Sequence, residues 1–325
     1  MKKLLSLVLI ISLMSIWVVG CGGKDNVDEG NNAKDNVNTN DTVKKYKIGV
    51  AGSSFADKWQ TYLYDAIKEE ADSLDEVEAI FTDAKDDSSI QIANMENLIA
   101  QKVDAIIVVM VDTEGAKPYV KMCEEAGIPL IGVNRTFEGA DVYVGSESIQ
   151  AGLMQMEHVV KLLGEKGNIC VLEGAPGYEA AVQRTAGNIE IADKYEEINI
   201  IRQDTGKWDR AKGMEVAENW LQSGEEINAI VANNDEMAIG AIRALEAVGN
   251  TDIVVAGIDA TLDALEYVKD GTLDITIFQS PFGQGSESLK AALKMAKGET
   301  VEEVVWVPFE IVNKENVDEY IAKWE

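Results

Sequence analysis

From Tyr46 onward, apolar runs of four to six residues alternate with amphipathic stretches of 12 to 16, each pair occupying about 25 to 30 residues. Runs of that length predict strands, and the stretches between them carry apolar residues at helical spacing, so the chain reads as repeated βαβ units with parallel sheets. The predicted strands are 46–51, 77–82, 105–110, 129–133, 168–173, 198–203, 228–232, 253–258, 274–278 and 304–311. The helix near 235 illustrates the local logic. Asp235 is its expected cap, Met237, Ile239, Ile242 and Leu245 form one face, and Gly249 stops it. No period of 20 to 50 residues repeats, which argues against a solenoid or a propeller. Ten strands are too many for one compact doubly wound sheet, and 325 residues exceed what one core usually serves. Two α/β domains are expected, with a break near 144–148.

The first 20 residues have a different pattern. Lys2 and Lys3 precede an apolar stretch from Leu4 to Val19, then Gly20 and Cys21. A charged start, a short apolar region and a small residue before the cut define a secretory signal. Cys21 directly after Gly20 resembles the lipobox of bacterial lipoproteins, which implies Cys21 as the acylated first residue of the mature chain. Val18 and Val19 depart from the usual Leu and Ala or Ser there, so a plain signal peptide or an uncleaved anchor are the competing readings. Residues 22–45 are mostly Gly, Asn, Asp, Lys and Thr, the composition of a disordered tether reaching on the order of 25 Å from a membrane surface. An extracytoplasmic protein, anchored to the membrane by a lipid on Cys21, is expected.

Charge narrows the partners. The formal net charge is −28, with 57 acidic against 29 basic residues, and loss of Lys2 and Lys3 takes it to −30. Such a surface repels nucleic acid and anionic lipid, and no basic cluster offsets it locally. Cys123 and Cys170 lack the Cys/His company of a metal site and read as buried thiols. The single histidine, His158, lies in a helical stretch with no Ser or Cys motif beside it, and no phosphate loop, dinucleotide fingerprint or metalloprotease motif appears. No cofactor and no metal are expected, and no enzyme.

The candidate chemistry sits at strand ends. Runs 48–50, 130–133, 169–172, 198–201, 230–232, 254–258 and 275–278 lead respectively to Asp57 with Trp59, Asn134, Arg184, Trp208, Asn234, Asp259 and Gln279. In an open parallel sheet ligands lie beyond the carboxyl ends of the strands, so these groups can converge. Carboxylates, amides and a guanidinium engage neighbouring hydroxyls with two atoms each, and aromatic faces cover C–H surface. The set suits a sugar. Each residue also has a bland reading. Asp57 and Gln60 form a capping-box pattern, and either tryptophan could be core. Asp259 is redundant as a cap because Thr261 can serve, Asn234 stands just outside a helix capped by Asp235, and a staple from Trp208 would meet only Gly213.

The segments IGV at 48–50, YVGSES at 143–148, GAPGY followed by Arg184, DTGKWD at 204–209, ANNDEMAIGAIRAL at 232–245, GIDATLDAL at 257–265 and VPF at 307–309 carry a resemblance. Over Tyr46 to Tyr320 the chain resembles the galactose/glucose- and ribose-binding proteins of bacterial ABC importers. That resemblance implies the type I periplasmic binding fold, in which two doubly wound parallel-sheet lobes are joined by three crossovers, here near 145–148, 279–281 and 305–308. The lobes would be 46–146 with 281–306 and 147–280 with 307–325. It implies a monomer that binds a monosaccharide between the lobes and delivers it to a membrane permease with an attached ATPase. Arg135 and Gln279 look ribose-type, the Trp208 segment looks like the galactose/glucose branch, and Tyr178 and Ala180 replace that branch's His and Asp. The ligand set is then Asp57, Trp59, Asn134, Arg135, Tyr178, Arg184, Trp208, Asn234, Asp259 and Gln279. A galactose- or glucose-like hexose is the favoured ligand, with ribose, another pentose, inositol or a role in sugar sensing as the alternative. The calcium loop of that branch is missing, since 163–168 reads LGEKGN. Two other classes are weaker: a glycosidase, which needs two carboxyls across the scissile bond, and a sugar-responsive repressor, which needs a basic DNA-binding module ahead of the lobes.

Overall fold

The computed structural model describes residues 44–324; the signal segment and Cys21 lie outside them. The first half of the described chain runs β1 (Tyr46–Gly52), α1 (Lys58–Asp72), β2 (Val77–Asp83), α2 (Ser88–Ala100), β3 (Ala105–Val108), α3 (Lys117–Ala126), β4 (Leu130–Val133) and β5 (Val142–Gly145). There follow α4 (Ser148–Leu162), β6 (Lys166–Glu173), α5 (Glu179–Ala192), β7 (Glu197–Thr205), α6 (Arg210–Gln222), β8 (Ala229–Ala232), α7 (Asp235–Val248), β9 (Val254–Asp259), α8 (Leu262–Asp270) and β10 (Ile275–Phe278). The chain closes with α9 (Pro281–Ala296), β11 (Val304–Trp306), β12 (Glu310–Asn313), α10 (Val317–Ile321) and a 3-10 turn at Ala322–Trp324.

Among the described residues, twelve strands make two sheets of six, in the orders β11-β5-β4-β3-β1-β2 and β12-β10-β9-β8-β6-β7. Every pairing is parallel except that of β12 with β10. The period-2 alternation of each inner strand divides the cores. In the first lobe Ile107 and Ile131 face α1 and α9 with Leu63, Ile67 and Leu289, whereas Ile106, Val108 and Leu130 face α2 and α3 with Met95, Leu98 and Tyr119. In the second lobe Ile230 and Val255 join Met237, Ile242 and Leu265, while Val231 and Ala256 join Met156 and Val159. Strands buried on both faces read as continuous apolar runs, which is why they stood out in the sequence.

Two elements differ from expectation. β5 was not anticipated: only eight residues separate it from β4, with no helix between, so the βαβ spacing left no room for it. The run 304–311 is not one strand. It breaks at 307–309 around Pro308, which lacks an amide donor; β11 pairs with β5 in the first sheet and β12 with β10 in the second. The chain therefore passes between sheets three times, after Gly145, after Phe278 and after Trp306.

Candidate functional site

The strand ends of both sheets face one cavity of about 380 Å³. All ten residues singled out in the sequence line it: Asp57, Trp59, Asn134 and Arg135 from the first lobe, and Tyr178, Arg184, Trp208, Asn234, Asp259 and Gln279 from the second lobe and the passage after β10. Its size and mixed polar and aromatic lining are those of a small-molecule site.

Arg184, on α5, is the most buried of the ten, only 4% exposed. It donates to the Asn233 carbonyl at 2.6 Å and to Gln279 Oε1 at 2.7 Å, and its Nη1 lies 3.8 Å from Asp259 Oδ1. Its Nε has no protein partner. Burial works against the Arg184 charge, and Asp259, Glu179 and Asp235 work for it. Burial likewise raises the Asp259 carboxyl, opposed by Arg184. Asp57 is raised by burial too, opposed by the Gln60 amide and the Arg135 charge. Opposite charges at close quarters hold the buried Arg184 and Asp259 side chains in place.

The aromatic residues serve in two ways at once. Trp59 packs into the first-lobe core, yet its Nε1 donates across to the Gln279 carbonyl at 3.2 Å. Trp208 lies over Gly174, where an added Cβ would come within 2.1 Å of the indole. Gly213 serves α6–α7 packing instead, since a Cβ there would meet Met237 backbone at 2.7 Å. Arg135 stacks on the Tyr178 ring at 4.7 Å, joining the two lobes, and its guanidinium donates to the Met110 carbonyl at 2.7 Å.

The capping assignments need one correction. Asn234, not Asp235, caps α7: Asn234 Oδ1 accepts from Met237 N at 3.0 Å. Asp235 is fully buried and turns inward, accepting from Thr276 Oγ1 at 2.6 Å and Thr261 N at 2.9 Å. Asn234 therefore spends its carbonyl on the helix and keeps its amide NH₂ at the cavity, 3.4 Å from the Trp208 carbonyl. Asp57 caps α1 through Gln60 N at 2.9 Å while also lining the cavity. Gln60 does not reciprocate; its Oε1 accepts from Ser53 and Tyr64. Thr261 caps α8 as expected, leaving Asp259 free of that duty.

Backbone strain marks the same positions. Asn134, Trp208 and Asp259 have φ of 67°, 66° and 124°, a region that side chains rarely adopt and that clusters at functional sites. Sequence reasoning passed over Glu179, Lys58 and Glu236, which also line the cavity. Glu179 accepts from Ser148 Oγ at 3.0 Å, and burial raises its carboxyl. Its place in the first turn of α5, between Tyr178 and Ala180, was the available signal. Lys58, at the start of α1, reaches across the mouth to Asp263 at 2.7 Å and Glu236 at 3.4 Å, both of which Arg210 also holds.

Residues 48–300 match the periplasmic binding protein domain. The chain belongs to that family. A putative rhizopine-binding protein of Rhizobium meliloti is 40% identical over 85% of this chain and 93% of its own length. The ribose import binding protein of Bacillus subtilis is 31% identical over 96% and 99%. Among solved structures, an ABC transporter solute-binding protein of Bacillus halodurans with bound myo-inositol is 52% identical, with a TM-score of 0.83, covering 86% of this chain and 99% of that one. A periplasmic solute-binding protein of Actinobacillus succinogenes with bound D-allose is 30% identical, with a TM-score of 0.81, over 85% and 100%. As a periplasmic binding protein of the ABC-transporter type, this chain is an extracytoplasmic sugar-binding protein and not an enzyme. Among the described residues, no helix is long and apolar enough to cross a membrane.

Proposed function

We propose that this periplasmic binding protein is the receptor for a cyclic polyol of the myo-inositol class and hands it to an ABC importer. One observation carries the reading: readers of hydroxyl groups surround the cavity on every side. Asp57, Asn134 and Arg135 come from one lobe and Glu179, Arg184, Asn234, Asp259 and Gln279 from the other side. An inositol presents a hydroxyl at every ring carbon, whereas a hexopyranose has an oxygen in place of one ring carbon and carries an exocyclic carbon. A site that pairs each hydroxyl rejects an analogue lacking one, because the unmatched polar group is left buried. The solved relative that holds myo-inositol supports the same reading, which replaces the galactose- or glucose-like ligand with the inositol alternative.

The ten lining residues are the proposed ligand set, with Trp59 and Trp208 covering the C–H surface of the ring. The proposed lobe division is 46–146 with 281–306 and 147–280 with 307–325. Ligand favours closure because it touches both lobes at once, and its differential affinity for the closed form sets the shift. The closed monomer then docks on the permease, tethered through a lipid on Cys21. Calorimetric titration with myo-inositol, D-allose, ribose, xylitol, galactose and glucose tests the specificity. Tightest binding is expected for myo-inositol, and tighter binding of galactose or glucose would overturn the proposal. For the anchor, mass spectrometry of the protein from the membrane fraction should find an acylated Cys21 as the first residue; an unmodified Cys21 would exclude a lipid there.

A further inference from the structure

Behind the cavity, outside its lining, lies a buried carboxylate. Asp235 is fully buried at the first turn of α7. Its two oxygens are divided between two partners. One accepts from the Thr276 hydroxyl of β10 at 2.6 Å, and the other accepts from the Thr261 amide at 2.9 Å. Thr276, itself fully buried, uses the same hydroxyl oxygen to accept from the Ala260 amide at 3.2 Å. Two consecutive amides, 260 and 261, are thereby tied to one carboxylate, directly or through one hydroxyl.

Those amides belong to a distorted turn at the cavity. Asp259 has φ of 124° and Ala260 φ of 51°, and neither is glycine. Two adjacent residues in sparsely populated backbone regions persist only where surrounding structure over-determines them, at a cost of order 1–3 kcal/mol each. The surroundings are built for that purpose. At Gly257 of β9, a Cβ would come within 2.2 Å of Asp235 Oδ1, so the carboxylate lies against bare backbone two residues before the turn.

We propose that Asp235, acting with Thr276, is a positioning residue for ligand binding: it holds the strained Asp259–Ala260 turn so that the Asp259 carboxylate points into the cavity. A carboxylate is required because it offers two acceptors and no donor, which matches one hydroxyl and one amide. An amide side chain in its place offers one acceptor and turns an NH₂ towards a donor. The proposal rests on Asp259 contacting the ligand, as in the function proposed above.

Thr276→Val, Thr276→Ser and Asp235→Asn separate positioning from folding. Removing the hydroxyl in Thr276→Val and one acceptor in Asp235→Asn should each weaken myo-inositol binding about tenfold or more. Thr276→Ser keeps the hydroxyl and should restore affinity to within about threefold of wild type. Thr276→Ser should unfold, without ligand, within about 3 °C of wild type, and the other two should still unfold cooperatively. Hydrogen exchange of the ligand-free protein supplies a readout independent of the sugar: the amides of Ala260 and Thr261 should lose protection in Thr276→Val and Asp235→Asn, while the β8 and β9 amides keep theirs. Unchanged protection at 260 and 261 would overturn the proposal, as would wild-type affinity in both disrupted variants or failure of Thr276→Ser to rescue. Loss of protection throughout the second lobe would show a general folding role and overturn it equally. If wild-type protein ignores myo-inositol, the ligand reading fails, and the exchange pattern still decides whether the latch exists.

Discussion

Closure of the two lobes should depend measurably on the ionic cluster at the cleft mouth. Asp263 accepts from Lys58 of the opposite lobe at 2.7 Å and from Arg210 of its own lobe at 3.0 Å. It does not line the cavity, so Asp263→Asn leaves the ligand contacts intact. The magnitude follows from exposure: the Lys58 and Asp263 side chains are 34% and 47% exposed, so solvent screens the pair and it is worth about 0.5–1 kcal/mol. Lys58 keeps Glu236 at 3.4 Å in the variant, which holds the loss to that range. Since ligand binds the closed form, destabilising closure by that amount weakens apparent affinity about two- to fivefold, whichever sugar is used. Tryptophan fluorescence or calorimetric titration at low and high salt reads it. Wild-type affinity should fall as salt screens the pair, and Asp263→Asn should lose part of that dependence. Because Asp263 also sits in the first turn of α8, a double-mutant cycle with Lys58→Gln isolates the inter-lobe coupling. A coupling of zero, or tighter binding by Asp263→Asn, would refute the reasoning.

Asn234→Ala and Asp259→Ala should each weaken sugar binding by about one to three kcal/mol, because each leaves ligand hydroxyls unpaired; unchanged affinity in both variants would refute the site. Asn234→Ala should also destabilise the ligand-free protein by about 1 kcal/mol through its lost helix cap, seen as a lower unfolding midpoint. Burial raises the Asp235 and Asp259 carboxyls, so in the window above the unfolded value of about 4 the folded chain holds more protons than the unfolded one. Their contribution is fully present below that value and is lost as pH rises through the folded values. Calorimetric midpoints should therefore decline from about pH 4.5 towards neutrality, and Asp235→Asn should flatten the decline; an unchanged slope would count against the assignment. Burial pushes the thiols of Cys123 and Cys170 up to about 12, so iodoacetamide should label neither in the native protein and both after denaturation, as mass spectrometry would record.

Much of this molecule is written in its periodicities. Parallel strands buried on both faces must be apolar throughout, so the runs at 105–108 and 229–232 declared themselves, and the polar residues at their exits were legible as a convergent set for the same topological reason. Thr261 as the cap of α8, and hence Asp259 as a residue with another use, also followed from local chemistry. Tertiary structure alone decided which of two adjacent candidates caps α7. Asn234 and Asp235 are locally interchangeable as caps. Asp235 turned inward because Thr276 and Thr261, distant in the chain, complete a buried network that a carboxylate satisfies. Nor could local pattern assign the two halves of 304–311 to different sheets, because an edge strand joins whichever partner is left unpaired beside it. Lys58, Glu236 and Asp263 were unremarkable surface charges along the chain. They became one cluster only when α1 of the first lobe came to face α7 and α8 of the second, since the energy of a charge depends on what folding places opposite it.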